Sequence, residues 1–387
     1  MTIVGKAVPI ASYPRRLPAL DVLRGIAILG TFASNIWLFT AAAIVAGGRG
    51  CSGWWTSFWQ WLPNGKFLGL LTIMFGIGLE IQRQTAVRAG KPWPGKYPIR
   101  AALLFADGAL NYIFVVTFDV LRIYAVIGLV IAYLLLARER VRWWLTVGFL
   151  AVHCALLPIV ASMRAADVRI PREGEMTGLR PGGPVGAGYW ETVAVSFENF
   201  GPGFGLHSEF PLVLFLGLGL FLLGANLYRM GIFGPERRAL RYAIMLFGFG
   251  IALPIDFLIG ITSMVPPQLA VFGRYGSAAG VALALLALVA EYFVRRERPG
   301  PVGRPLSCVG RMALSCYLLQ NILGVIASRT VLTRPEVAVL DPLLLTGAAF
   351  LGVSAVLIAF ACLWLRFFPR GPFELLWTWS YRKLARE

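Results

Sequence analysis

Apolar residues in this chain fall into runs far longer than the buried face of a soluble helix requires, separated by short polar connections. Crossing about 30 Å of hydrocarbon takes roughly 17–25 predominantly apolar residues. Ten stretches reach that scale, at about 19–45, 64–81, 101–117, 119–137, 144–162, 210–228, 242–263, 268–292, 307–328 and 342–366. The third and fourth are joined at Thr117–Asp119 with almost no loop, which predicts a tight helical hairpin. The expected fold is all-α, a polytopic membrane bundle of about ten transmembrane helices. Its expected organisation is an N-terminal five-span half (1–162), a Gly/Pro-rich connection (163–209) and a C-terminal five-span half (210–387).

The polar connections alternate in charge. Twenty-four of the 36 Lys and Arg residues lie in one alternating set, seven in the other and five inside spans. The positive-inside rule makes the first set cytoplasmic, so both termini are expected inside and the protein is expected in the plasma (inner) membrane as a multi-pass chain. No cleavable signal peptide is expected, because the first apolar run is too long and opens with Asp21 and Arg24. The outer connection 163–209 is net negative and carries Tyr189, Trp190, Phe197, Phe200 and Phe204, which favours an ordered lid or interfacial segment over a linker. The Trp-rich stretch 46–63 reads as an aromatic belt at the membrane interface.

Composition agrees: 58% hydrophobic and 14% charged residues exclude an ordinary cytosolic enzyme. The net charge of +17 does not imply nucleic acid, because the cations are scattered among apolar runs and no nucleic-acid motif accompanies them. The five cysteines show no metal spacing, and no metal site or disulfide framework is implied.

Ionisable side chains inside spans are costly, so they pair, face a cavity or act. Asp21 and Arg24 share a helix face at the entrance of the first span, as a structural pair or as a holder of an anionic group; Asn35 lies about three turns deeper. Lys66 stands at the start of the second span and is able to snorkel. Asp107 and Asn111 are i,i+4 neighbours near mid-membrane, followed by Asp119 and Arg122. Asp107 is read either as the partner of Arg24, Arg274 or Arg311, or as a proton acceptor. Of the two histidines, His153 sits in the middle of the fifth span, where a core role bonded to a carbonyl is the plainer reading, and His207 lies at the outer mouth of the sixth. Asp256, Arg274, Arg311, Gln320 and Asn321 complete the set, and a cavity lined by arginines would suit a phosphate or carboxylate ligand.

Five ordered motifs carry a resemblance. They are Leu20-Asp21-Val22-Leu23-Arg24-Gly25 with Asn35; Gly65-Lys66-Phe67 followed by Met74-Phe75-Gly76-Ile77-Gly78; Asp119-Val120-Leu121 followed by Tyr124-Ala125; Gly310-Arg311-Met312-Ala313-Leu314-Ser315-Cys316-Tyr317-Leu318-Leu319-Gln320; and Trp364-Leu365-Arg366 followed by Gly371-Pro372-Phe373-Glu374-Leu375-Leu376-Trp377. Together they resemble the YeiB-type membrane proteins, a family defined by a domain of unknown function. That family looks related to the transmembrane acyltransferases, which include the acyltransferase-3 proteins and heparan-glucosaminide N-acetyltransferase. By that analogy acyl-CoA is a co-substrate on the cytoplasmic side and no cofactor is permanently bound. Asp21, Arg24, Asn35, Arg100 and Arg311 would serve the donor, and the partners would be the lipid bilayer and a glycan, lipid or metabolite acceptor, with a homo-oligomer left open.

One departure bears on the chemistry. Where the family usually carries a histidine, eight residues before Asp119, this chain has Asn111, and an amide does not exchange a proton near neutral pH. Asp107, one turn away, is one replacement for the base; His153 or His207 is another. The remaining alternatives are a transporter or lipid-handling protein, or a non-catalytic subunit of an envelope complex. Lys66, Asp119, Arg122, Asp256, Arg274, Gln320 and Asn321 are expected to line the cavity in the first two cases.

Overall fold

The computed structural model of the protein describes residues 17–46, 53–117, 119–166, 188–201, 210–262, 265–296, 298–332 and 334–385. Among these residues the regular structure is all helical. The order begins α1 (Pro18–Ala46), α2 (Trp54–Trp61), α3 (Lys66–Arg88), α4 (Tyr97–Phe114), α5 (Leu121–Leu134), α6 (Glu139–Ala165), α7 (Tyr189–Glu198) and α8 (Phe210–Arg229). Next, α9 (Arg238–Phe247) runs through a π segment, Gly248–Ala252, into α10 (Leu253–Ile261), and α11 (Ala270–Phe272) through a second, Gly273–Ser277, into α12 (Ala278–Arg295). The chain closes with α13 (Gly303–Arg311), α14 (Ala313–Thr330), α15 (Pro335–Ala338), α16 (Pro342–Phe367) and α17 (Pro372–Ala385).

Each of the ten predicted stretches falls on helix. Among the described residues seven helical runs are long and apolar enough to cross a membrane, or eight if α13 and α14, bent by 91° at Met312, form one broken span. The predicted third and fourth spans are α4 and α5. With 14 residues, α5 rises only about 21 Å, less than the hydrocarbon thickness. The polar turn at Asp119 is thereby drawn into the bundle.

Local sequence explains the breaks and ends. Pro254 lacks an N–H and its ring crowds the carbonyl four residues earlier, and the first π segment sits just before it. Asp341 caps α16 by accepting the Leu343 and Leu344 N–H groups, with Pro342 at the first helical position. The cap of α14 comes from a distant helix: the Glu374 carboxylate on α17 accepts the Leu314 N–H at 2.9 Å, the Ser315 N–H at 3.2 Å and the Ser315 hydroxyl, which in turn accepts the Phe373 N–H. An anion at these orphan donors suits the positive end of the helix.

Helices from the two predicted halves interdigitate. A Cβ on Gly310 would overlap the Asp21 carbonyl oxygen, and one on Gly25 the Leu306 carbonyl, so α1 and α13 touch backbone to backbone. Gly76 and Gly224 allow the same approach between α3 and α8. Small residues at such crossings let dispersion and packing hold helices where lipid is as apolar as leucine. The centre is built by fully buried Leu23 and Ala27 of α1, Leu70, Ile73 and Ile77 of α3, Ile127 and Ile131 of α5, and Phe221 and Leu222 of α8. The runs through α6, α9–α10 and α16 bury far less and present Trp144, Leu246 and Leu351 outward, as helices facing lipid do.

The predicted charge asymmetry has a structural counterpart. Arginines at the ends of several helices meet buried acids at one end of the bundle: Glu80, fully buried, takes Arg83 at 2.9 Å and Arg229 at 2.8 Å, and Glu291 takes Arg241 and Arg295, both at 2.7 Å. Arg142 joins α6 to α8 through Asn226 at 3.2 Å. The start of α1 reaches this end of α3, with Arg24 3.7 Å from the Cβ position of Gly78, and the end of α17 meets it through the bond from Lys96 to the Ala385 carbonyl at 2.6 Å.

Because the Gly310 contact is with backbone, Gly310→Ala is expected to cost about 1–3 kcal/mol. Gly352→Ala, where nothing lies within 4 Å, is expected to be neutral. Thermal unfolding of the two variants in lipid nanodiscs checks this, and equal stability would contradict the backbone contact.

Candidate functional site

The site is organised around Asp119, which follows α4 and precedes α5 and is fully buried. Its Oδ1 accepts the Asn111 amide at 3.0 Å and the Tyr317 hydroxyl at 3.2 Å, and its Oδ2 accepts the Arg122 N–H at 3.1 Å, with the Arg122 guanidinium at 4.0 Å. Gly108 makes room, since a Cβ there would lie 2.6 Å from Oδ2. A buried carboxylate has to be bonded on all sides to be tolerated. Here the donors come from α4, α5 and α14, so one side chain fixes three helices.

The Arg122 guanidinium lies over the rings of Tyr112 at 3.6 Å and Phe200 at 5.1 Å, an arrangement suited to a cation held away from water. Phe200 follows α7, a helix within the predicted aromatic connection. That helix is seated on the end of α4 by Tyr189 Oη to the Phe114 carbonyl (2.9 Å) and Tyr112 Oη to the Asn199 carbonyl (3.3 Å), and on α14 by Arg329 to Thr192 (2.9 Å). This segment covers the Asp119 site at the end opposite the basic loops.

Asp107 behaves differently. The expected ion pair with Arg24, Arg274 or Arg311 is absent among the described residues: Arg24 lies 3.7 Å from Asp21, Arg274 donates to Asn64 at 3.0 Å, and the buried Asp107 Oδ2 has no hydrogen-bond partner. The charged group that acts on Asp107 is the Asp119 carboxylate, of like sign. The buried Oδ1 of Asn111 and both polar atoms of Gln320 and of Asn321 are likewise unbonded. Gln320 and Asn321 follow Tyr317 by about one turn on α14, which puts them on the face that reaches Asp119. Unbonded buried polar atoms cost about 1–3 kcal/mol each, a cost that a polar occupant of this face would offset.

Arg100 stands seven residues before Asp107, about 10 Å along α4 and on nearly the same face. It donates to Gln82 at 2.7 Å, stacks on Tyr381 and Trp377 of α17 at 4.6 and 5.5 Å, and lines a cavity of about 430 Å³ at the basic end. Lys91, Lys96, Trp93, Tyr97 and Tyr381 line it too. Arg24 reaches α3 at Gly78, one turn from Gln82. The structure therefore gathers Asp21, Arg24 and Arg100 around the same stretch of α3, with Arg311 beside the Gly310 crossing and Asn35 deeper along α1.

A second polar group lies at the opposite end. The buried Lys66 pairs with buried Asp256 at 2.5 Å, donates to the Trp61 carbonyl at 2.8 Å and sits 4.4 Å from the Trp61 ring centre. Lys66 thus does not snorkel. His153 lies apart from Asp107 on α6, its ring nitrogens 3.0 Å from the Leu212 carbonyl and 3.1 Å from the Tyr275 carbonyl, the core role read as the plainer one. His207 lies outside the described residues. Sequence reasoning missed Glu80, Tyr317 and Glu374; the acids stood in motifs or at a helix end, but their partners are up to 149 positions away.

These features define a polytopic helical membrane protein with a carboxylate-centred polar site inside its bundle. Residues 227–383 match the family described as "Protein of unknown function (DUF418)". The chain is 25% identical over 382 residues to "Uncharacterized protein YeiB" of Escherichia coli (strain K12), covering 92% of this chain and 94% of that one. It is 24% identical over 398 residues to "Uncharacterized protein YxaH" of Bacillus subtilis (strain 168), covering 94% and 93%. The YeiB-type resemblance read from the motifs is shown by these matches.

If Asp119 is the carboxylate that fixes α4, α5 and α14, Tyr317→Phe removes one of its donors and costs about 1 kcal/mol. Asp119→Ala removes the buried charge shared by the Asn111, Arg122 and Tyr317 donors and costs more, about 3–5 kcal/mol. Thermal unfolding in nanodiscs checks the order of the two, and an Asp119→Ala protein as stable as the parent would contradict the assignment.

Proposed function

We propose that the protein is a plasma-membrane acyltransferase that takes an acyl group from cytoplasmic acyl-CoA and passes it to a glycan, lipid or metabolite acceptor on the far side. The observation that supports this best is the pairing of two carboxylates in unlike settings: Asp119 bonded by three donors, Asp107 with a buried oxygen unbonded. Carboxylates whose surroundings differ this much divide into a structural anion and a proton-exchanging group. In this reading Asp107 is the general base that takes the acceptor proton as the acyl carbon is attacked, and returns it as the CoA thiolate departs. Asn111 holds Asp119 by its amide donor and takes no part in proton transfer.

The donor end follows from α4. Lys91, Lys96 and Arg100 supply cations for the phosphates, Trp93, Tyr97 and Tyr381 supply aromatic faces, and the thioester end points up the same helix face toward Asp107. Arg24, at the neighbouring turn of α3, serves the same anion. Gln320 and Asn321 have unbonded buried donors, which in this reading polarise the acyl carbonyl.

The runner-up is passage of a small polar solute. It draws on the two π segments and the 91° break between α13 and α14, since interrupted helices line the sites of many transporters.

Calorimetric titration of the nanodisc-embedded protein with acetyl-CoA tests the donor assignment. Binding is expected, and Arg100→Ala and Arg24→Ala are each expected to weaken it about tenfold, the loss of one charge-assisted contact of about 1.4 kcal/mol. Absence of binding, or binding indifferent to both variants, would argue against an acyl-CoA site.

A further inference from the structure

We infer that the end of the bundle opposite the basic loops holds a binding site for a hydroxyl-rich sugar ring, in the cavity between α1, the α2–α3 connection, α10 and the second π segment. The inference deepens the proposed function by naming the acceptor class, and it rests on that reading only for the acyl group the sugar would receive. The cavity has a volume of about 410 Å³, within the range of small-ligand pockets. Its wall combines the rings of Trp37 and Trp61 with the hydroxyls of Ser34 and Ser57 and the carboxamides of Gln60 and Asn64.

The wall is rigid. Trp61 is locked by its indole N–H to the Asp256 carbonyl at 3.0 Å, by an edge-on contact with Phe257 at 5.2 Å, and by Gly260, where a Cβ would collide with the indole. Asp256 is fixed by Lys66 and by the Ser277 hydroxyl at 2.8 Å, which ties the cavity floor to the second π segment. A buried ion pair contributes little net stability; here it holds an aromatic wall and a carboxylate floor at the cavity. The side chains of Ser34, Ser57 and Gln60, by contrast, make no hydrogen bond to another described residue.

The lining selects a ligand class. An acyl chain would meet a wall crowded with hydroxyl, amide and charged groups. A nucleotide needs several cations, and the cavity lining supplies Arg274 alone, with Lys66 beneath it engaged by Asp256. A sugar ring has an apolar C–H face that stacks on indole and a rim of hydroxyls that both donate and accept. Carboxamides and hydroxyls are the groups that match such a rim, since each offers donor and acceptor together.

Saturation-transfer NMR on the nanodisc-embedded full chain, with methyl β-D-glucopyranoside as probe, glycerol as control and no acyl-CoA present, tests the site. Transfer to the ring protons is expected, with none to glycerol. Asn64→Leu and Gln60→Leu, which lie on the cavity rim, are each expected to reduce it severalfold while leaving the thermal transition in place. No transfer, equal transfer to glycerol, or transfer unchanged in both variants would overturn the inference. Sugar binding without any acetyl-CoA binding would leave this site standing and refute the acyl-transfer reading.

Discussion

A carboxylate placed where water does not reach constrains everything around it, and Asp119 is that constraint here. Its oxygens take Asn111 from α4, Arg122 from α5 and Tyr317 from α14, so a hairpin of two consecutive helices and a third 198 positions away are held in one register by a single charge. Charge at this depth is expensive unless fully bonded. The short α5, the missing Cβ at Gly108 and the aromatic stack over Arg122 are the local features that make the bonding complete. Once Asp119 is satisfied, Asp107 one helix turn from Asn111 is left with an unbonded oxygen beside it.

The motifs divide along the same line. Gly25 and Gly310 allow two backbones to touch, while Ser315 and Glu374 cap α14 after its right-angled bend. These residues shape the bundle and have no need of a ligand. Asp107, Gln320 and Asn321 have buried polar atoms that the protein leaves unbonded, and Arg100 lines the basic cavity. The chemistry is sought in this second group, and the two groups are intermixed within single motifs such as the run from Gly310 to Gln320.

Hydropathy made the helices legible, because a run such as 342–366 has few alternatives to a span. It also marked the buried charges, since Asp107, Asp119 and Asp256 stand out against apolar neighbours. Pairing was not legible. Lys66 finds Asp256 across 190 positions, and the sequence offers Lys66 the equally plain option of reaching the interface. Arg274, a candidate for Asp107, stands in the second π segment and donates to Asn64. The helices α2, α7 and α17 escaped a search for long apolar runs because they are 8, 10 and 14 residues long and lie against the bundle.

Two polar cavities at opposite ends, with an incompletely bonded carboxylate on the helix that lines one of them, are the observations on which the proposed transfer across the membrane rests. The central claim is that Asp107 supplies the base. The most direct measurement uses proteoliposomes of one orientation, with radiolabelled acetyl-CoA supplied only at the basic face and a pyranoside only at the other. The account predicts labelled sugar ester on the far side, abolished by Asp107→Asn in a protein that still binds acetyl-CoA. Absence of labelled ester in the parent protein, or full transfer by the Asp107→Asn protein, would contradict it.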